Sequence, residues 1–366
     1  MARSTTVAAI STTLLLAFVG AVASPAPTAA PAKRDPPLGV YAGPLAVADV
    51  DAFAAWLARP SVWAEDNTGS ESWNNVAYPI WWLSGWGAWV KAKPGRRLIL
   101  GIPIVPGPLD GSGPTAGDID VGKPVSLERG AEGAYDRHYT QLSKALVEHG
   151  LGDTILRPGW EFNGDWYAWR AEGKAAAFAG YWRRIVKAMR AVPGTAGLHF
   201  CWNPSLGNQR MPAETAWPGD EFVDSIGLDV YDVSWIPDTY PWPASTSAAE
   251  VEARRTKAWE AWIRDAERGL GWWARFAAAH GKRLSIPEWG VCEGPDAHGG
   301  LDDARFVERM HEVVTDAGVE IAFHCYFDSK ASDGRHELSP GAKGDRASAF
   351  PKASARFREL FRRADR

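Results

Sequence analysis

From residue 38 onward, short apolar runs alternate with amphipathic stretches, and this alternation predicts the architecture. The runs at 38–41, 61–64, 97–105, 154–161, 197–202, 222–231, 283–289 and 321–327 read as strands. Helical patterning fills 47–57, 73–92, 131–148, 174–192, 247–280 and 301–317, and Phe350-Pro351 opens a last helix with Pro where the first turn tolerates it. In the sixth run, Ile226, Leu228 and Val230 fall on one face, and Ser225, Gly227, Asp229 and Tyr231 on the other. The first face suits a helix layer and the second a barrel interior. Eight strands alternating with helical segments predict an α/β fold, a (β/α)8 TIM barrel formed by one domain over 37–366.

Composition narrows the class. The 366 residues are 46% hydrophobic and 23% charged, with a formal net charge of -4, so neither a nucleic-acid surface nor a polybasic membrane anchor is expected. Ahead of the fold, Arg3 precedes an apolar run at 14–22 that ends in Ala21-Val22-Ala23. This is the pattern of a cleaved signal peptide over 1–23, followed by a Pro/Ala-rich tether over 24–36. The expectation is a secreted protein, extracellular or associated with the cell wall, monomeric and with no membrane partner once the leader is removed. The three cysteines are Cys201, Cys292 and Cys325. Cys292 and Cys325 fall on neighbouring predicted strands, which leaves open one disulfide or three buried thiols. No cysteine or histidine spacing suggests zinc, and neither a metal nor a cofactor is expected.

The candidate chemistry centres on 154–169, TILRPGWEFNGDWYAW. Arg157 and Glu161 are four residues apart and share a face if the strand runs through both. Each buried charge needs a partner or a chemical task. Trp160, Phe162 and Trp166 around Glu161 should raise its pKa by desolvation, which suits a general acid near neutral pH. A second carboxylate, Glu288, ends the run LSIPEWG on the same predicted face as Leu284 and Ile286. Three βα units separate the two, which places Glu161 on strand four and Glu288 on strand seven, both at the C-terminal rim. Carboxylates facing each other there, roughly 5 Å apart, would serve double-displacement glycoside hydrolysis. The protein's 20 Trp are read mainly as core, with those in strand-end loops open to stacking on sugar rings.

Arg157-Pro158-Gly159-Trp160-Glu161, then Asn163-Gly164 and Trp166…Trp169, resembles the acid/base segment of glycoside hydrolase family 26. That family belongs to a clan of retaining (β/α)8 glycosidases and is known mainly for β-mannanases. The resemblance implies Glu161 as acid/base and Glu288 as nucleophile, with Tyr231 contacting the nucleophile from strand six. Trp160 stands where the family has His, so the sugar next to the acid is the feature least fixed by the resemblance. Arg157, Trp160, Asn163, Trp166, Trp202, Asp229, Tyr231, Trp289 and Tyr326 are the expected substrate-binding residues, with Phe327 an alternative to Tyr326 as an aromatic floor. Asp165 is read as either a sugar-binding group or a cap, and His324 as a hydrogen-bonded core histidine. The function expected is retaining endo-hydrolysis of a β-mannan-like extracellular polysaccharide. A β-1,3-xylanase or β-glucanase specificity, a transglycosylase and a non-hydrolytic carbohydrate-binding barrel are the alternatives.

Overall fold

Eight parallel strands close on themselves: β1 (Leu38–Tyr41), β2 (Trp63–Asn67), β3 (Leu98–Ile102), β4 (Ile155–Pro158), β5 (His199–Trp202), β6 (Ser225–Gly227, resuming at Val230–Tyr231), β7 (Arg283–Gly290) and β8 (Ile321–Phe327). Each pairs with the next, β6 pairs with β7, and β8 returns to β1. This is the (β/α)8 barrel that the apolar periodicity predicts. The computed structural model describes residue 1 and residues 35–363, apart from 79, 108–124, 208, 317 and 347. The expected signal peptide, nearly all of the tether and the body of the Gly/Pro/Asp-rich stretch at 106–125, which reads as a long loop, lie outside the described residues.

Helices wrap the barrel between strands. The stretch read as one helix over 73–92 is two, Trp73–Ala77 and Ile80–Ala92, and the one over 131–148 is a short turn of helix at Leu127–Ala131 followed by Asp136–Glu148. Ser72, Ser126 and Ser247 cap helix starts by accepting from backbone amides three residues on, and Asp303 accepts from Arg305 and Phe306. Such caps satisfy amides that have no partner inside the helix. Pro351 occupies the first turn of the final helix, Pro351–Phe361.

Strand alternation sorts the side chains into two regions. Outward residues such as Leu98, Leu100, Ile102, Leu156 and Ile226 join the large core under the helices. Inward residues Ile99, Ile155, Cys201, Phe323 and Cys325 form a small apolar plug within the barrel. Above the plug the inward positions turn polar, because Asn67 registers with Gly101 and Gly101 with Arg157. The strands thus carry an apolar base and a polar mouth at their C-terminal ends.

One strand departs from simple alternation. Leu284 pairs with Ile321, Ile286 with His324 and Trp289 with Tyr326, so each of β7 and β8 carries one extra residue at a different point. On β7 the extra residue lies between Ile286 and Trp289, both of which face the helix layer. Glu288 therefore faces inward although Leu284 and Ile286 face outward, which corrects the shared face expected from the sequence. Pro287 sits in this irregularity, where a missing N–H is tolerated.

Candidate active site

The backbone turns sharply at the end of β4. Gly159 and Glu161 both adopt positive φ, 57° and 53°. A non-glycine residue in this region is uncommon and is held there by its surroundings. Here the Glu161 amide donates to the Asn203 carbonyl at 2.7 Å, and Gly164 N donates back to the Glu161 carbonyl at 3.0 Å. Glu161 thus reaches the mouth from a turn rather than along the strand face expected for it. Trp166 Nε1 donates to Glu161 Oε2 at 2.8 Å. Burial and then the nearby Glu288 charge push the Glu161 carboxyl up to about 8, with Trp166 and Arg157 opposing.

Glu288 has a different environment. Arg157 Nη2 donates to its Oε1 at 2.7 Å and the Tyr231 hydroxyl to its Oε2 at 2.8 Å, while its own amide donates to Asp229 Oδ1 at 3.1 Å. Both carboxylate oxygens thus accept from charged or strongly polar donors that fix their position.

Arg157 organises this half of the site. It is fully buried and also donates to Glu65, to Asp229 Oδ2 at 2.9 Å and to Asn203 Oδ1 at 2.6 Å. Burial alone would lower its pKa, but Asp229 and Glu288 hold it raised, so the guanidinium stays charged. Burial holds the Asp229 carboxyl well above its usual range, against the pull of Arg157. The planar guanidinium fork fixes several acceptors at once, which an ammonium cannot do. Glu65 was not among the expected residues, because 61–64 reads as a weak strand followed by a turn. In the structure β2 runs through Trp63–Asn67 and carries Glu65 into the interior.

Trp160 lines a cleft together with Tyr41, Asp66, Asn67, Tyr167 and Trp169. Its Nε1 donates to the Tyr167 hydroxyl at 3.1 Å, and its carbonyl accepts from Trp169 Nε1 at 2.7 Å. Phe327 stacks on Tyr41 with centroids 4.6 Å apart and meets Tyr231 at 5.9 Å, so it, not Tyr326, is the strand-eight aromatic near the mouth.

Four expected residues occupy other places. Trp202 is fully buried among Phe162, Trp217 and Trp273 on the helix side. Trp289 packs against Phe306, Phe357 and Phe361, and Tyr326 lies beside it and donates to the His336 carbonyl. Strict alternation accounts for Trp202 and Tyr326: Cys201, Asn203, Cys325 and Phe327 take the inward positions. Asn163 spends both ends of its carboxamide on the Ser205 backbone, tying the loop after β4 to the end of β5. Asp165 pairs with Arg210 at the surface, and His324 is a buried acceptor for Trp289 Nε1. All three cysteines are buried free thiols, so the disulfide option is not realised.

Two carboxyl groups at the ends of β4 and β7, one protonated near neutrality and the other held by Arg and Tyr, are the arrangement of a barrel glycosidase. Known proteins resemble this chain over part or most of its length. The model for glycosyl hydrolase family 26 matches residues 139–244, which include β4 through β6. A mannan endo-1,4-beta-mannosidase from Bifidobacterium adolescentis is 23% identical over 52% of this chain, and the match spans only 19% of that protein's length. Among solved structures, a double mutant of the Cellulomonas fimi endo-beta-1,4-mannanase aligns with a TM-score of 0.58 at 16% identity, covering 89% of this chain and 70% of that one. The catalytic domain of a Bacillus sp. JAMB-750 endo-beta-1,4-mannanase aligns with a TM-score of 0.55 at 16% identity, covering 90% and 86%. The chain is a (β/α)8 barrel that resembles glycosyl hydrolase family 26 over residues 139–244.

Proposed function

We propose that this protein is a secreted glycoside hydrolase that cleaves internal bonds of a neutral, β-mannan-like polysaccharide with retention of configuration. Glu161 acts as acid/base and Glu288 as nucleophile. The observation that carries the reading is the unequal environment of the two carboxyl groups. A protonated Glu161 gives its proton to the leaving glycosidic oxygen as Glu288 attacks the anomeric carbon. Arg157 and Tyr231 hold Glu288 in place for the attack. Water then enters, Glu161 removes its proton, and the glycosyl ester on Glu288 is hydrolysed.

In this reading Trp160, Trp166 and Tyr231 face the sugar. Arg157, Asp229 and Asn163 position the groups that do, and Trp202, Trp289 and Tyr326 support the strands from behind. Reducing-end release across a polysaccharide panel tests the activity. An activated 2-deoxy-2-fluoro-glycoside tests the roles, because it should stall as an ester on the peptide carrying Glu288. Labelling of Glu161 instead, or of neither, would overturn the assignment.

A further inference from the structure

The chain leaving β8 forms a small hairpin, Lys330–Ala331 against Gly334–Arg335, turning at Ser332-Asp333. Glu293 and Arg335 exchange main-chain hydrogen bonds of 3.1 Å, which tie the hairpin to the segment that follows β7. His336 comes next and is fully buried. Its carbonyl accepts from the Tyr326 hydroxyl at 2.8 Å, and the Leu338 and Ser339 amides donate to the buried Asp328 at 2.6 and 3.0 Å. The main chain that carries His336 is therefore fixed from the β8 side.

The imidazole is fixed from the β7 side. Its Nδ1 lies 2.8 Å from the carbonyl of Val291, the first residue beyond β7. A carbonyl can only accept, so Nδ1 carries the hydrogen and donates. The other nitrogen, Nε2, is buried without a hydrogen-bond partner among the described residues. Asp333 Oδ1 stands 3.9 Å from it, too far to orient the ring. The ring packs on Tyr231 with centroids 4.9 Å apart and on Phe327 at 5.3 Å. A Cβ placed on Gly290 would touch both Tyr231 Cε1 and His336 Cβ, each at 3.6 Å, so the two side chains meet directly over the strand that carries Glu288.

Tyr231 needs such a support. Its hydroxyl, which donates to Glu288 Oε2 at 2.8 Å, sits at the far end of the ring, where a small tilt carries the oxygen out of range. Its aromatic neighbours among the described residues are Phe327 and His336. Phe327 has no polar atom to hold it at a set angle, whereas His336 is bonded to Val291. A phenylalanine at 336 would fill the same space without leaving a buried nitrogen unpaired, so packing alone does not account for the imidazole. The hairpin also reaches the reacting centre, because Asp333 is among the charges that keep the Glu161 carboxyl raised.

We infer that His336 is a positioning residue for Glu288: bonded to the Val291 carbonyl and packed on the Tyr231 ring, it fixes the angle at which the Tyr231 hydroxyl meets the carboxylate. The inference rests on the glycosidase reading above, in which that carboxylate is the nucleophile. A double-mutant cycle of His336→Asn with Tyr231→Phe in the full chain tests it. Asn keeps a donor for Val291 and removes the ring. His336→Asn should lower kcat on mannohexaose about tenfold and change KM less than about twofold. In the Tyr231→Phe background no hydroxyl is left to position, and the same substitution should cost less than about twofold. Equal losses in both backgrounds, or no loss in either, would overturn the inference. Should His336→Asn not fold, His336→Phe takes its place in the cycle. It keeps a ring on Tyr231 and loses only the Val291 bond, so kcat should fall about threefold with Tyr231 present and be unchanged in Tyr231→Phe. Equal effects there would again overturn it. If the wild-type protein is inert on mannohexaose, that failure belongs to the glycosidase reading, and urea unfolding of the same four proteins still decides. Tyr231→Phe should raise the unfolding equilibrium constant at least about fivefold more in the wild-type background than in the His336 variant. Equal increases would overturn the link between the two side chains.

Discussion

The Glu161 amide is bonded to the carbonyl of Asn203, whose side chain accepts from Arg157 Nε at 2.6 Å. One residue at the end of β5 therefore supports both Glu161, in the turn after β4, and the guanidinium that holds Glu288. Asn203→Ala keeps the main-chain bond and deletes the side-chain acceptor, together with the Nδ2 donation to the Pro204 carbonyl. It leaves a buried N–H of a charged group without a partner, at a cost of about 2–3 kcal/mol. Chemical denaturation should report that loss. Turnover should fall with little change in KM if Arg157 shifts relative to Glu288.

The raised Glu161 carboxyl gives a signed pH dependence. As the acid, it must be protonated, so kcat/KM should fall on the alkaline side through about 8 in the free enzyme. With an activated aryl glycoside, which needs little protonation, Glu161→Gln should retain the first step and lose this limb.

Stability follows the same group. A carboxyl whose folded pKa lies above its unfolded value favours folding while protonated. That contribution is fully present at acid pH and is lost as pH rises from the unfolded pKa through about 8. Glu161→Gln should therefore raise Tm relative to wild type by more at pH 9 than at pH 5. A difference that does not vary with pH would show that Glu161 titrates normally.

Tyr231 donates to Glu288 at 2.8 Å, and Phe at this position removes that donor alone. A hydrogen bond to a charged group contributes about 1.5–3 kcal/mol, so Tyr231→Phe should reduce kcat roughly ten- to hundredfold. Burial of mannohexaose should be less affected, which a KM-against-kcat comparison would detect.

Trp160 presents a broad apolar face to the cleft and commits its single N–H to Tyr167. Trp160→His restores a second polar ring atom and reduces desolvation of Glu161. The variant should hydrolyse β-mannan faster than wild type, with its alkaline limb at lower pH. Initial rates on mannan and a pH profile check both.

The barrel was legible because the outer faces of most strands are apolar and several helices are strongly periodic. Glu161 was singled out because Arg157-Pro158-Gly159-Trp160-Glu161 is a specific pattern. Glu65 was not: Trp63–Asn67 is mostly polar or charged, and its strand character comes from pairing with β1 and β3 rather than from its own residues. The inward direction of Glu288 was hidden for another reason. Alternation assumes equal residue counts on paired strands, and the unpaired residue on β7 breaks that rule locally. The outward direction of Trp202 and Tyr326 was readable from alternation. A preference for aromatics near a sugar site hid it.

The paired irregularities on β7 and β8 have a consequence for how the barrel tolerates change. The extra residue on β8 lies before His324 and the one on β7 after Ile286, so the second restores the stagger that the first disturbs. The strand ends emerge level with their neighbours, and loops grafted after either strand meet an undisturbed scaffold. Removing one residue at 287 has the opposite effect. Ile286, Glu288 and Trp289 would then alternate directly, with the carboxylate still inward and the indole still outward, but the stagger that β8 introduces would be left uncompensated. The residue count at 287 thus sets the height of the carboxylate in the mouth rather than its direction.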